Sequence, residues 1–89
     1  MTSLLFVDDE TKLLRILSSY FTKKGFVVHT ASTGEEARSK LRDADARIIF
    51  LDLRLPDATG IELLQEFVPQ YPNKLFVIMT AYSDVESAV

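Results

Sequence analysis

Short, wholly apolar runs that end in carboxylates constrain this chain more than anything else in it. Residues 4–7 read Leu-Leu-Phe-Val and lead into Asp8, Asp9 and Glu10; residues 48–51 read Ile-Ile-Phe-Leu and lead into Asp52. Apolar runs this short, with no alternation, have the pattern of strands buried on both faces, as in a parallel sheet covered by helices. A third run, Leu75–Met79, leads into Thr80 and Ala81. In open α/β sheets ligands collect beyond the C-terminal ends of the strands. Carboxylates converging there repel one another unless a cation is bound, so the pattern predicts a metal site and, with it, phosphate chemistry.

Helical patterns fill the intervals. Leu13, Leu14, Leu17, Tyr20 and Phe21 recur at spacings of three and four, and Gly25 follows as a stop signal. Residues 26–31 are β-rich but carry His29 and Thr30, as an edge strand with a wetter face would. After the Ser32-Thr33-Gly34 turn, Glu35 and Glu36 place negative charge at the start of a second helix over residues 35–43. Pro56, Asp57 and Gly60 make a loop; Ile61, Leu64 and Phe67 with Val68 form the expected inner stripe of a third helix, whose end Pro69 and Pro72 bracket. Ser83 or Asp84 would cap a fourth helix over residues 85–89. The alternation implies a doubly wound parallel sheet with right-handed crossovers. The mixed second strand belongs at an edge and the two carboxylate-bearing strands side by side, which puts Asp8, Asp9 and Asp52 at the switch point.

Bulk properties narrow the function classes. Eighty-nine residues allow a single small domain. A net charge of −3, with no basic cluster beyond Lys23-Lys24, argues against direct nucleic-acid contact. No apolar run approaches the ~18 residues needed to span a bilayer, and no basic n-region opens the chain, so a cytoplasmic address is expected. The absence of cysteine excludes thiol chemistry.

The chain resembles the receiver domain of two-component response regulators over its whole length. Three segments carry the resemblance, in order and each closing an expected strand. They are Asp8-Asp9; the stretch from Leu51 and Asp52 through Pro56 and Gly60 to Leu64; and Met79-Thr80-Ala81. The resemblance implies a flavodoxin-like receiver fold with strand order 2-1-3-4. It also implies a signalling module rather than an enzyme: Asp52 takes a phosphoryl group from a sensor histidine kinase or a small phosphodonor. Mg²⁺ would be bound by Asp9 directly, by Asp8 through water, by an Asp52 oxygen and by the Arg54 backbone carbonyl. Thr80 would be the switch hydroxyl, drawn to the phosphoryl group, and Arg54 and Tyr82 resemble positions that tune its lifetime. The stretch from Thr80 to Val89 is most similar to receivers of nitrogen-regulatory transcription factors, which implies an effector domain in the parent protein. The sequence stops at Val89, before the family's fifth strand, with its lysine, and fifth helix, so residues 1–89 are expected to be a C-terminally truncated receiver.

Bland readings stand beside these. Asp8, Asp9 and Glu10 could cap the first helix, and Asp52 alone could be a turn former; joined with Pro56, Gly60 and Thr80, the metal-and-phosphate reading is preferred. An alternative role is a phosphorylation-impaired interaction module that self-associates through the strand Leu75–Met79, apolar on both faces with no partner on its far side. An aspartyl phosphatase is rejected, because those enzymes place the nucleophile in an Asp-x-Asp run and Asp8-Asp9 has no spacer.

Overall fold

The structure, a computed structural model, describes residues 1–79. Thr80, Ala81, Tyr82 and the helix expected over residues 85–89 lie outside the described residues. Strands and helices alternate as β1 (Ser3–Val7), α1 (Thr11–Lys23), β2 (Val27–Ala31), α2 (Gly34–Asp43), β3 (Ile48–Asp52), α3 (Gly60–Gln70) and β4 (Leu75–Met79). The four strands form one parallel sheet in the expected order β2-β1-β3-β4. Val7 is in register with Ala31 on one side and Leu51 on the other, so β1 and β3 end flush and their carboxylates emerge together.

The period-two alternation of β1 feeds two cores. Leu5 and Val7 join Ile49 and Leu51 under α2 and α3, against Ala37, Leu41, Leu63 and Phe67. Leu4 and Phe6 face the other way, under α1, with Leu14 and a cluster of aromatic rings. There Phe6 stacks on Phe50 with centroids 4.7 Å apart and on Phe21 at 5.4 Å. Each buried Leu, Ile or Phe contributes roughly 1.5–3 kcal/mol, which is how so small a chain covers both faces of its sheet.

Local signals set the helix ends. At the C-terminus of α1, Gly25 takes φ +96°, its N–H donates to the Thr22 carbonyl, and the Phe26 N–H returns to the Phe21 carbonyl at 3.1 Å. This left-handed turn stops the helix and packs the Phe26 ring on Phe21. The Thr33 side chain caps α2 by accepting from the Glu36 N–H, and Thr59 with Glu62 forms a reciprocal capping box on α3.

The structure corrects two expectations about helix faces. Tyr20, which shares the apolar spacing of α1 with Leu13, Leu14, Leu17 and Phe21, is 55% exposed. In α3 the inward residues are Gly60, Leu63 and Phe67, whereas Ile61 and Val68 are exposed and Leu64 is half-buried. Docking of Gly60 against the β3 backbone fixes the rotation of α3, and hydrophobicity alone does not carry that information. Helix α3 ends at Gln70, between Pro69 and Pro72 as expected, with Pro69 inside its last turn. So near the C-terminus a proline removes one intrahelical bond, and Tyr71 N–H still closes the helix on the Phe67 carbonyl at 2.8 Å.

Candidate metal centre

Three carboxylates meet beyond the C-terminal ends of β1 and β3. Asp8 extends the β1 ladder by one step, its N–H donating to the Ala31 carbonyl at 3.0 Å. Its side chain is buried, and Oδ1 accepts from the Glu10 N–H at 2.9 Å, which turns the chain into α1. Glu10 is the N-cap residue of α1 but makes no side-chain capping bond, and Asp9 is exposed. Capping therefore does not account for the acidic run. Asp52 closes β3, half-buried and paired with Met79.

One oxygen from each of Asp8, Asp9 and Asp52 lies within 4.8 Å of the others. At that spacing two unit charges repel by roughly 1 kcal/mol in water and about 4 kcal/mol near a protein surface. The effect falls on Asp52, whose pKa is raised by burial first, then by the Asp8 charge and then by the Asp9 charge. The backbone N–H groups of Leu53 and Arg54 oppose the shift by hydrogen bonding to the carboxylate. An oxygen-only donor set holding unrelieved negative charge is the chemistry that a hard divalent cation such as Mg²⁺ satisfies. Of the residues expected at the site, the structure thus brings together Asp8, Asp9 and Asp52. Arg54 stands two residues further on, its backbone bridged antiparallel to Thr59, and Thr80 lies outside the described residues.

The loop behind Asp52 is closed on itself. Gly60 N–H donates to the Leu53 carbonyl and Leu55 N–H to the Ala58 carbonyl, both at 2.9 Å. A Cβ on Gly60 would stand 2.3 Å from the Asp52 carbonyl oxygen, so only glycine admits α3 this close to β3. The sequence reading assigned Pro56 and Gly60 to shaping this loop, and the Gly60 contact supplies the reason. It missed Asp57, which looked like a turn residue. Its carboxylate instead accepts from Gly34 N–H at 2.8 Å and Glu35 N–H at 3.1 Å across the surface. Lys74, by contrast, is far from the carboxylates: it precedes β4 and reaches Asp45 at 3.3 Å and the Ala46 carbonyl.

This sheet order with a carboxylate cluster at its switch point defines a receiver. A family model for the response regulator receiver domain matches residues 4–89, and the chain belongs to that family. Among its relatives, the regulatory protein AtoC of Escherichia coli is 36% identical over 86 residues, covering 97% of this chain and 19% of AtoC. Response regulator SaeR of Staphylococcus aureus is 37% identical over 81 residues, covering 91% of this chain and 35% of SaeR. The chain thus spans between a fifth and about a third of the length of these relatives. Among solved structures, the response regulator TrrA of Thermotoga maritima in complex with Mg²⁺-BeF superposes with a TM-score of 0.86 at 29% identity, covering 100% of this chain and 77% of that one. TrrA has also been solved in complex with the histidine kinase ThkA; there the TM-score is 0.84, over 92% of this chain and 71% of that one, at 29% identity.

Proposed function

We propose that this chain is the phosphoacceptor module of a two-component response regulator, phosphorylated on Asp52 with the help of Mg²⁺. The observation that carries the reading is the convergence of Asp8, Asp9 and Asp52, with the Asp52 carboxylate destabilised by its neighbours. Asp9, an Asp52 oxygen and the Arg54 backbone carbonyl would hold the ion directly, and Asp8 through water. Bound there, Mg²⁺ supplies the positive charge that phosphoryl transfer to a weak nucleophile needs. Asp52 attacks phosphorus through one carboxylate oxygen; the bond from phosphorus to the donor's imidazole nitrogen breaks, and that nitrogen leaves with the electron pair. The Thr80 hydroxyl then donates to a phosphoryl oxygen and serves as the switch.

The partners of the similar structures support the same reading: TrrA is seen with Mg²⁺-BeF and with a histidine kinase. A sensor histidine kinase is the phosphodonor, an effector domain that regulates transcription is the output in the parent protein, and the location is cytoplasmic. No helix among the described residues is long and apolar enough to cross a membrane. The test is titration with Mg²⁺ and beryllofluoride, followed by amide chemical shifts, in wild type and Asp52→Asn. The wild type responds around residues 8, 9 and 52–54 and the variant does not; a response retained in the variant removes Asp52 from its role.

A second reading rests on β4. Among the described residues this strand pairs only with β3, and Leu75 is 59% exposed at its start. An apolar strand edge is a template for pairing with another copy. The 89-residue chain is therefore expected to self-associate through Leu75–Met79. Light scattering checks this, and a monomer mass at every concentration sinks it.

A further inference from the structure

We propose that Asp57 is a positioning residue of the metal centre: by tying the loop behind Asp52 to the start of α2, it sets where Asp52 and Arg54 stand relative to Asp8 and Asp9. The inference rests on the reading of those residues as Mg²⁺ ligands and adds a residue outside the ligand set.

Asp57 sits in the loop between Asp52 and α3, whose internal bonds span residues 53–60. Those bonds make the loop a closed unit but leave its orientation undetermined. The orientation comes from outside: Leu55 and Ala58 pack against the core, and Asp57 supplies the polar tie. Asp57 Oδ1 accepts from Gly34 N–H and Oδ2 from Glu35 N–H, 23 and 22 residues away in sequence. These are the first two N–H groups of α2, at the positive end of its dipole, so both bonds are charge-assisted. The next N–H, that of Glu36, is already held by Thr33 Oγ1. The start of α2 is thus occupied, with Asp57 as its distant partner among the described residues.

The approach is close enough to restrict Gly34. A Cβ there would stand 3.2 Å from Asp57 Oδ1 and 3.3 Å from Leu63 Cδ2. A second tie lies one turn further along α2, where Arg38 forms a two-pronged ion pair with Glu66 of α3 at 2.6 and 2.9 Å. That pair bears on α3, whereas Asp57 acts on the loop itself.

These contacts close a ring around the site. Asp8 N–H bonds to Ala31 at the end of β2, β2 leads into α2, α2 holds Asp57, and the Asp57 loop returns to Asp52 beside Asp8. The N–H groups of Leu53 and Arg54, which favour the charged Asp52 carboxylate, lie within the held loop. With Asp57 removed, the ring opens at this side-chain link, and the loop behind Asp52 loses its charge-assisted tie to α2.

The test compares Asp57→Ala, Asp57→Asn and Thr33→Ala in the full chain. Mg²⁺ affinity is read from amide shifts, amide exchange from residues 53–60 in the metal-free protein, and stability from urea unfolding. Asp57→Ala is expected to weaken Mg²⁺ binding at least threefold and to speed exchange in the loop. Asp57→Asn, which keeps one acceptor, should recover part of both. Thr33→Ala loses an α2 cap but not the Asp57 bonds; it should be destabilised while its Mg²⁺ affinity stays within twofold of wild type. Asp57→Ala binding Mg²⁺ within twofold of wild type would overturn the positioning role and leave the metal site standing, and so would Thr33→Ala losing affinity in step with stability. If Asp57→Ala does not fold, full wild-type affinity in Asp57→Asn, where one bond is gone, overturns it equally. A wild type with no Mg²⁺ response at residues 8, 9 and 52 would overturn the metal-site reading, and this inference with it.

Discussion

Asp52→Asn is expected to make the metal-free protein more stable at pH 7, by about 1 kcal/mol, while abolishing its stabilisation by Mg²⁺. The gain follows from charge. Asp52 is crowded by Asp8 and Asp9 with oxygens within 4.8 Å, and even a water-screened pair at such a distance repels by roughly 1 kcal/mol. Asparagine keeps an oxygen for the Leu53 and Arg54 N–H groups and drops the charge. The pH dependence has a definite sign. Burial and the two neighbouring charges raise the folded pKa of Asp52, so folding favours its protonated form. Its stabilising contribution is complete below the ordinary carboxylate range and is lost as pH rises through the folded value. The advantage of the variant therefore appears as pH climbs above the Asp52 titration and fades below about pH 4. Asp57, Glu36 and Glu66 work in the opposite direction, because hydrogen bonds to Gly34, Ser32 and Arg38 respectively lower their pKa values. They are common to both proteins and cancel in the difference. Added Mg²⁺ reverses the order: at a hundred times its Kd it stabilises the wild type by about 2.7 kcal/mol, and the variant gains nothing. Urea unfolding at pH 7 and at acid pH, with chelator and then with Mg²⁺, reads every term. Equal Mg²⁺ stabilisation of both proteins, or a metal-free variant weaker than wild type at pH 7, would contradict the proposed site.

What the sequence made legible was whatever depends on local pattern. Strands β1, β3 and β4 are apolar runs, and runs of that length have few other structures open to them. Strand order followed from composition, because a mixed strand with His29 and Thr30 belongs at an edge and the carboxylate-bearing strands at the switch point. Gly25 was legible as a stop because only glycine takes its φ of +96° without strain. The failures are non-local. Ile61 and Val68 are as apolar as Leu63 and Phe67, and what turns them outward is the contact between Gly60 and the Asp52 backbone, which a helical wheel does not contain. Asp57 follows a proline and looks like any turn residue; its partners lie more than 20 residues away, across a crossover whose geometry exists only once the sheet has formed. Asp8 and Asp9 are adjacent acids in sequence, but the structure separates them into a buried residue that holds the turn and an exposed one.

Gly60→Ala is expected to cost about 3 kcal/mol or more, opposite in sign to what helix propensity alone suggests. Alanine is favoured over glycine by up to about 1 kcal/mol within a helix, so an exposed position at the start of α3 would tolerate or welcome it. At Gly60 the added methyl meets the Asp52 carbonyl oxygen at 2.3 Å, the Asp52 carbonyl carbon at 3.0 Å and the Leu53 Cα at 3.2 Å. All three are backbone atoms with no rotamer to escape into, so α3 or β3 must move and the packing of Leu63 and Phe67 moves with it. For 89 residues the whole stability is of order 4–13 kcal/mol, so the loss is a large share of it. Gly34→Ala provides the internal comparison. Its new methyl would meet Asp57 Oδ1 at 3.2 Å, Leu63 Cδ2 at 3.3 Å and Ala58 Cβ at 3.4 Å, contacts relieved by shifts of a few tenths of an ångström, and a cost nearer 1 kcal/mol is expected. Urea midpoints for the two variants check the contrast, and a Gly60→Ala protein as stable as Gly34→Ala would contradict it. The displaced atom also ties folding to chemistry. The oxygen that the methyl strikes belongs to Asp52, so Gly60→Ala should weaken Mg²⁺ binding under conditions where the protein is still folded. A loss of stability with unchanged Mg²⁺ affinity would mean that the Asp52 carboxylate is insulated from its own backbone, which the bonds it accepts from Leu53 and Arg54 argue against.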